Sequence, residues 1–101
     1  MADTLKLLGK GTLGTTEATL YTVPANTTTV VKSIILCNKT AADATANIKF
    51  ADTEIYLEHA VTAKDTLCIQ LTSVLEANET IKGLAGTADA INYYISGIEI
   101  A

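Results

Sequence analysis

The apolar residues of this chain recur at every second position in short runs, and no useful length of it carries the 3.6-residue spacing of a helical stripe. Leu67, Ile69 and Leu71 alternate with Cys68 and Gln70; Ile48 and Phe50 alternate with Asn47 and Lys49; Ile55 and Leu57 alternate with Glu54, Tyr56 and Glu58. Alternation puts successive side chains on opposite sides of a strand, so each run predicts a strand with one face turned inward. The run from Thr28 to Cys37 is apolar at both parities, with Val30, Ile34 and Leu36 on one face and Val31, Ile35 and Cys37 on the other. That pattern predicts a central strand covered on both sides. In the last segment Ile91, Tyr93 and Ile95 share a parity that Ile98 and Ile100 leave, and Gly97 lies at the switch, where a β-bulge is expected.

A short echo punctuates these runs. Val23-Pro24-Ala25-Asn26-Thr27-Thr28, Val61-Thr62-Ala63-Lys64-Asp65-Thr66 and Leu75-Glu76-Ala77-Asn78-Glu79-Thr80 share one pattern: apolar, any residue, Ala, Asn or Lys, any residue, Thr. Asn, Asp and Pro supply turn chemistry, and the Thr restarts a strand, so the echo is a reused turn. Strand segments are predicted near 3–9, 18–23, 28–37, 44–51, 53–60, 65–72, 79–85 and 90–100. About eight strands, short loops and no substantial helix define an all-β chain, an antiparallel β-sandwich or jelly roll. Residues 1–14 are expected to form an N-terminal arm or first strand with a Gly-rich connection, and residues 15–101 a single sandwich domain.

Composition agrees with that class. The 101 residues include 17 Thr and 15 Ala but one Phe, one Met and no Trp. Thr suits a half-exposed pleated surface, and so few large side chains make a thin core. The formal net charge is −4, and every basic residue is Lys. An acidic surface without Arg is poorly equipped to grip phosphate, so no nucleic-acid partner is expected. No apolar run is long enough for a membrane span, and the start of the chain has no basic segment followed by an apolar stretch, so neither a membrane nor a secretory signal is expected. Cys37 and Cys68 each sit in an apolar run and are read as two buried thiols, with a disulfide between them as the alternative that the sequence leaves open; no metal spacing surrounds them.

Motifs that would carry chemistry lack their contexts. Gly9-Lys10-Gly11-Thr12-Leu13-Gly14 matches a dinucleotide fingerprint in letters, but strand-like residues follow where a helix would be needed. It is read as a connection between the first two strands. His59 is the sole histidine and has no nucleophile placed beside it by the local sequence. The carboxylates form no calcium-loop pattern, and Glu54 and Glu58 read as a solvated strand face. Asn26, Asn38 and Asn78 each begin a glycosylation-type triplet, which Thr-rich strand starts generate by chance. No catalytic residue, cofactor or metal is assigned. Tyr93 and Tyr94 must point to opposite faces, so one is expected in the core and the other at an interface.

The segment from Leu20 to Asn38, Leu-Tyr-Thr-Val-Pro-Ala-Asn-Thr-Thr-Thr-Val-Val-Lys-Ser-Ile-Ile-Leu-Cys-Asn, resembles small β-sandwich virion structural proteins of tailed bacteriophages. Thr15-Thr16-Glu17 resembles the lead-in of that group. The corners at Val61–Thr66 and Leu75–Thr80 and the closing Ile95-Ser96-Gly97-Ile98-Glu99-Ile100 also fit, so the resemblance covers most of the chain. It implies a non-enzymatic part of a phage particle, made in the bacterial host cytoplasm and docked on capsid, neck or tail as decoration, collar or fibre component. Other virion proteins and further copies of the same chain are the partners it implies. Leu5, Leu7, Leu8, Tyr56 and Tyr94 are the candidate interface residues, and an arm ending at Gly14 is suited to adding a strand to another chain. The alternative is a free β-sandwich binding module that recognises a surface carbohydrate or host receptor.

Overall fold

The structure is a computed structural model that describes residues 3–100 and, within that span, the side chains of all but Asp3, Thr4, Tyr56 and Glu58. Eight strands follow one another among the described residues: β1 (Asp3–Thr12), β2 (Ala18–Thr22), β3 (Thr28–Asn38), β4 (Ala44–Phe50), β5 (Thr53–Val61), β6 (Thr66–Leu75), β7 (Thr80–Ala85) and β8 (Ile91–Ile100). They make two four-stranded antiparallel sheets, ordered β1-β8-β3-β6 and β2-β7-β4-β5. We call these the first and second sheet. The pairs β1/β8, β2/β7, β3/β6 and β4/β5 nest inside one another, as if one long hairpin had been rolled up. That wrapping is the jelly roll.

The alternation of the sequence places the core between the sheets. Ala44, Ala46, Ile48 and Phe50 of β4 are buried, as are Ile81 and Ala85 of β7 and Ile91 and Ile95 of β8. Leu67, Ile69 and Leu71 of β6 pack against this cluster while Cys68 and Gln70 face out. The echoed hexapeptide is one turn used three times. Its first residue is buried in each copy (Val23, Val61, Leu75), and its fourth is left-handed, with φ of 59° at Asn26, 58° at Lys64 and 69° at Asn78. Its closing Thr is the first residue of β3, β6 and β7. The backbone closes Thr62 to Asp65 at 3.1 Å and Glu76 to Glu79 at 3.1 Å, so the left-handed residue occupies the third turn position, where such a φ is required.

Four expectations are corrected. The bulge near Gly97 belongs to the partners of β8 and not to β8. Register passes from Val31↔Gly97 to Ser33↔Ser96 on one side and from Leu7↔Ser96 to Gly9↔Ile95 on the other, so Lys32 and Leu8 are the extra residues. Gly97 allows this because a Cβ there would lie 2.3 Å from the Val30 carbonyl oxygen. The faces of β3 change in consequence: Val31, Ile34 and Leu36 are buried, and Val30, Ile35 and Cys37 lie on the half-exposed outer side. The two thiols are not buried, because that outer side carries both; Cys37 is half-buried, Cys68 is exposed, and neither is in a disulfide. Ile55 and Leu57 are exposed, because β5 is an edge strand whose register against β4 slips at two places.

Polar side chains tie the ends of the sandwich. Asn38 is fully buried, and its amide nitrogen donates to the carbonyls of Ala42 at 2.8 Å and Val61 at 2.9 Å. Its amide oxygen accepts from the Thr40 backbone N–H at 2.9 Å and hydroxyl at 2.7 Å. Asn38 therefore holds the β3–β4 connection to the end of β5, and its amide is occupied by the fold. Across the sandwich, the Tyr21 hydroxyl of β2 donates to the Glu99 carboxylate of β8 and accepts from the Thr29 hydroxyl at 2.8 Å. Lys6 completes the group, its ammonium 3.2 Å from Glu99.

Candidate functional site

The glycines of the fingerprint-like stretch have a packing role. Gly9 and Gly11 lie inside β1, Gly11 opposite Tyr93, and a Cβ on either would meet the Tyr93 ring at 3.3–3.5 Å. The missing side chains let that ring lie against the strand, the arrangement known as aromatic rescue of glycine. His59 lies in β5 of the second sheet, opposite Ala46. Cys37 and Cys68 sit on the side of the first sheet that faces away from the second, so neither thiol meets His59. Among the described residues no three His, Cys, Asp or Glu side chains gather in a way that could hold a metal ion.

The outer face of the first sheet is different in kind. Register links Leu5 to Ile98, Ile98 to Val30 and Val30 to Val74, so one apolar row crosses all four strands. Leu5 is 75% exposed and Val74 57% exposed at its two ends. The next row is Leu7, Ser96, Ser33 and Gln70; beyond it come Lys10, Tyr94, Ile35 and Cys68, then Thr12, Asn92, Cys37 and Thr66. Four of the exposed large apolar side chains, Leu5, Leu7, Val74 and Tyr94, share this one face. A shallow concavity of about 430 Å³ lies over its last two rows, with Lys10, Thr12, Ile35, Asn92 and Tyr94 among its lining residues.

Charge avoids the face. Among its described residues the charged side chains are Lys10, on the edge strand β1, and Lys32, which leans to the opposite edge, where its ammonium donates to Thr72 Oγ1 at 3.3 Å. The described carboxylates lie elsewhere. Glu17, Asp52 and Glu54 accompany the second sheet, Asp43, Asp65, Glu76, Glu79 and Asp89 lie in connections, and Glu99 turns into the sandwich. The outer face of the second sheet is the converse, with the row Thr19, Lys82, Lys49 and Glu54 and ion pairs from Lys49 to Glu17 at 2.9 Å and from Lys82 to Asp52 at 3.1 Å. A solvated face looks like the second; the first has the composition of an interface core, where apolar side chains concentrate and charge is depleted.

The electrostatics of Tyr21 and Glu99 follow from their contact. Burial pushes the Tyr21 hydroxyl up to about 12, and the bond to Glu99 adds to it. The same bond holds the Glu99 carboxyl below its usual range, helped by Lys6 and opposed by burial. Lys49 is raised by its bond to Glu17.

Of the residues singled out from sequence, Leu5, Leu7 and Tyr94 come together on the outer face of the first sheet. Leu8 is the bulge residue of β1 and is buried against the core. Tyr56 lies in β5 of the other sheet, opposite Ile48, and its side chain falls outside the described residues. Val30, Val74 and Ile98 are members of the row that sequence reasoning missed. The even-numbered parity of β6 signalled Val74, but Val30 and Ile98 depended on bulges carried by other strands.

The sequence matches no protein-family model and no curated protein. Among solved structures the fold is similar to the Drosophila NLP core, a structure described as giving insight into pentamer formation and histone binding. The TM-score is 0.57 at 16% identity, over 95% of this chain and 100% of that one. It is also similar to an exo-β-1,3-galactanase from Phanerochaete chrysosporium, with a TM-score of 0.50 at 10% identity. That match covers 95% of this chain but 29% of the galactanase, so this chain spans less than a third of that enzyme's length. At these identities both likenesses establish a shared β-sandwich fold.

Proposed function

We propose that this chain is a non-enzymatic structural subunit of a tailed-phage particle, which associates with copies of itself and docks on capsid, neck or tail. The observation that carries the reading is the outer face of the first sheet, free of described carboxylates, with its apolar row from Leu5 to Val74. A thin-cored domain of 101 residues gains stability whenever such a face is covered. The resemblance of Leu20 to Asn38 to small virion proteins supplies the particle. The NLP core supports the self-assembly, because that protein forms a pentamer on the same fold across its whole length. Jelly rolls also recur in viral coats. Gold-tagged antibody against the chain, imaged on intact phage, tests the reading. Label over the head, neck or tail is the expected result, and particles without label contradict it.

The concavity at Lys10, Thr12, Asn92 and Tyr94 favours a second reading, a module that takes a surface carbohydrate, since an exposed aromatic ring beside polar groups is what a sugar stacks on. Shifts of the Tyr94 and Asn92 resonances on adding a sugar, lost in Tyr94→Ala, would favour it.

A further inference from the structure

We infer that two copies of this chain stack the outer face of the first sheet against itself, around a two-fold axis running along the strands between β8 and β3. The inference deepens the self-associating part of the proposed function and rests on it.

The area suffices. Four strands about 4.8 Å apart and some ten residues at about 3.3 Å each give a footprint of roughly 600 Å² on each copy. Two such footprints make about 1,200 Å², the lower bound of a standard stable interface. The molecule measures 45 × 21 × 18 Å, so this sheet face is among its broadest surfaces. Charge also suits a second copy. No described carboxylate lies on the face; Lys10 stands on the edge strand β1 and Lys32 on β3, its ammonium leaning over Thr72 of the other edge strand, so a stack that exchanges the two edges sets neither on itself.

The register fixes the arrangement. A two-fold along the strands exchanges β1 with β6 and β8 with β3, so each cross-strand row meets itself reversed. Leu5 of one copy then faces Val74 of the other, and Ile98 faces Val30. Tyr94 faces Ile35, and Lys10 faces Cys68, away from any ammonium. A two-fold across the strands would instead lay each strand on its own copy and set the apolar row against Thr12, Asn92, Cys37 and Thr66, so that its side chains would not bury one another. Sheets stacked along the strands fall in the aligned class of face-to-face packing, near −30°.

Disulfide trapping tests this arrangement in purified protein, with no particle present. In a Cys37→Ser/Cys68→Ser background, Leu5→Cys and Val74→Cys together are expected to give a covalent dimer on mild oxidation. Leu5→Cys alone, and Leu5→Cys with Thr19→Cys on the other sheet, are expected to stay monomeric. All these positions are exposed and tolerate the change, and circular dichroism checks each fold. No dimer from the Leu5/Val74 pair, or as much dimer from Leu5→Cys alone, overturns the inference. Either result can stand beside gold label on particles, so its failure is distinguishable from failure of the structural-subunit reading.

Discussion

Gly97 sits where three strands crowd together. A Cβ would fall 2.3 Å from the Val30 oxygen and 2.9 Å from a Leu8 methyl, with backbone among the obstacles, so the neighbours cannot simply rotate away. Gly97→Ala is expected to cost about 2 kcal/mol or more in urea denaturation, whereas Gly14→Ala, where the nearest atom is 4.0 Å away, stays within about 0.5 kcal/mol of the parent. Asn38 makes the second prediction. Asn38→Ala leaves the carbonyl of Val61 and the backbone N–H of Thr40 short of a partner in a buried site and is expected to cost about 2–3 kcal/mol. The third concerns pH. Glu99 has its folded-state pKa lowered first by the Tyr21 hydroxyl, so its contribution is present above its ordinary value of 4.5 and is lost as pH falls through the lowered one. Tyr21 is raised from 10.0 to about 12, so its contribution is present below pH 10 and is lost as pH rises toward 12. Stability measured against pH should therefore fall at both ends in the parent. Glu99→Gln flattens the acid limb below 4.5, and Tyr21→Phe flattens the alkaline one; unchanged limbs would contradict the assignment.

At the scale of elements, the recurring turn predicts its own mutants. Lys64 holds a φ of 58° that an L-residue adopts at a cost of roughly 1 kcal/mol, and glycine adopts it freely. Lys64→Gly is expected to stabilise by about 0.5–1 kcal/mol and Lys64→Val to destabilise by about 1–2 kcal/mol, as read from chemical denaturation midpoints. The turns and strands were legible because their signals are local: an Asn or Lys before a Thr, and apolar residues two apart. The eight segments read from sequence fall on the eight strands among the described residues to within a few residues at each end. Faces were less legible. Parity in β3 reverses at Lys32 and in β1 at Leu8, and in each case the cause is a glycine on β8, far away in sequence. Ile55 and Leu57 alternate like core residues, yet an edge strand with slipped register leaves them outside. The candidate site suffered most. Leu5, Leu7 and Tyr94 could be named as exposed apolar residues, but the row that joins Leu5 to Val74 exists only once four strands, distant in sequence, are set in register.

The whole molecule has two unlike sides. One sheet presents threonines and ion pairs to solvent, and the other presents an apolar row with two lysines as its described charges, while the described carboxylates behind the net charge of −4 lie off that face. The core is built from Ile, Val, Leu and Ala with a single Phe, so covering the apolar row of the first sheet would add burial to a thin core. The proposed self-association rests on that side. Sedimentation equilibrium of the parent beside Ile98→Asp is the measurement that addresses it most directly. The parent is expected to dimerise reversibly, and Ile98→Asp, which sets a carboxylate in the apolar row against Val30 of the other copy, to associate about 100-fold more weakly or not at all with an unchanged fold. A parent that stays monomeric at every concentration, or a variant that associates as tightly as the parent, would contradict the account.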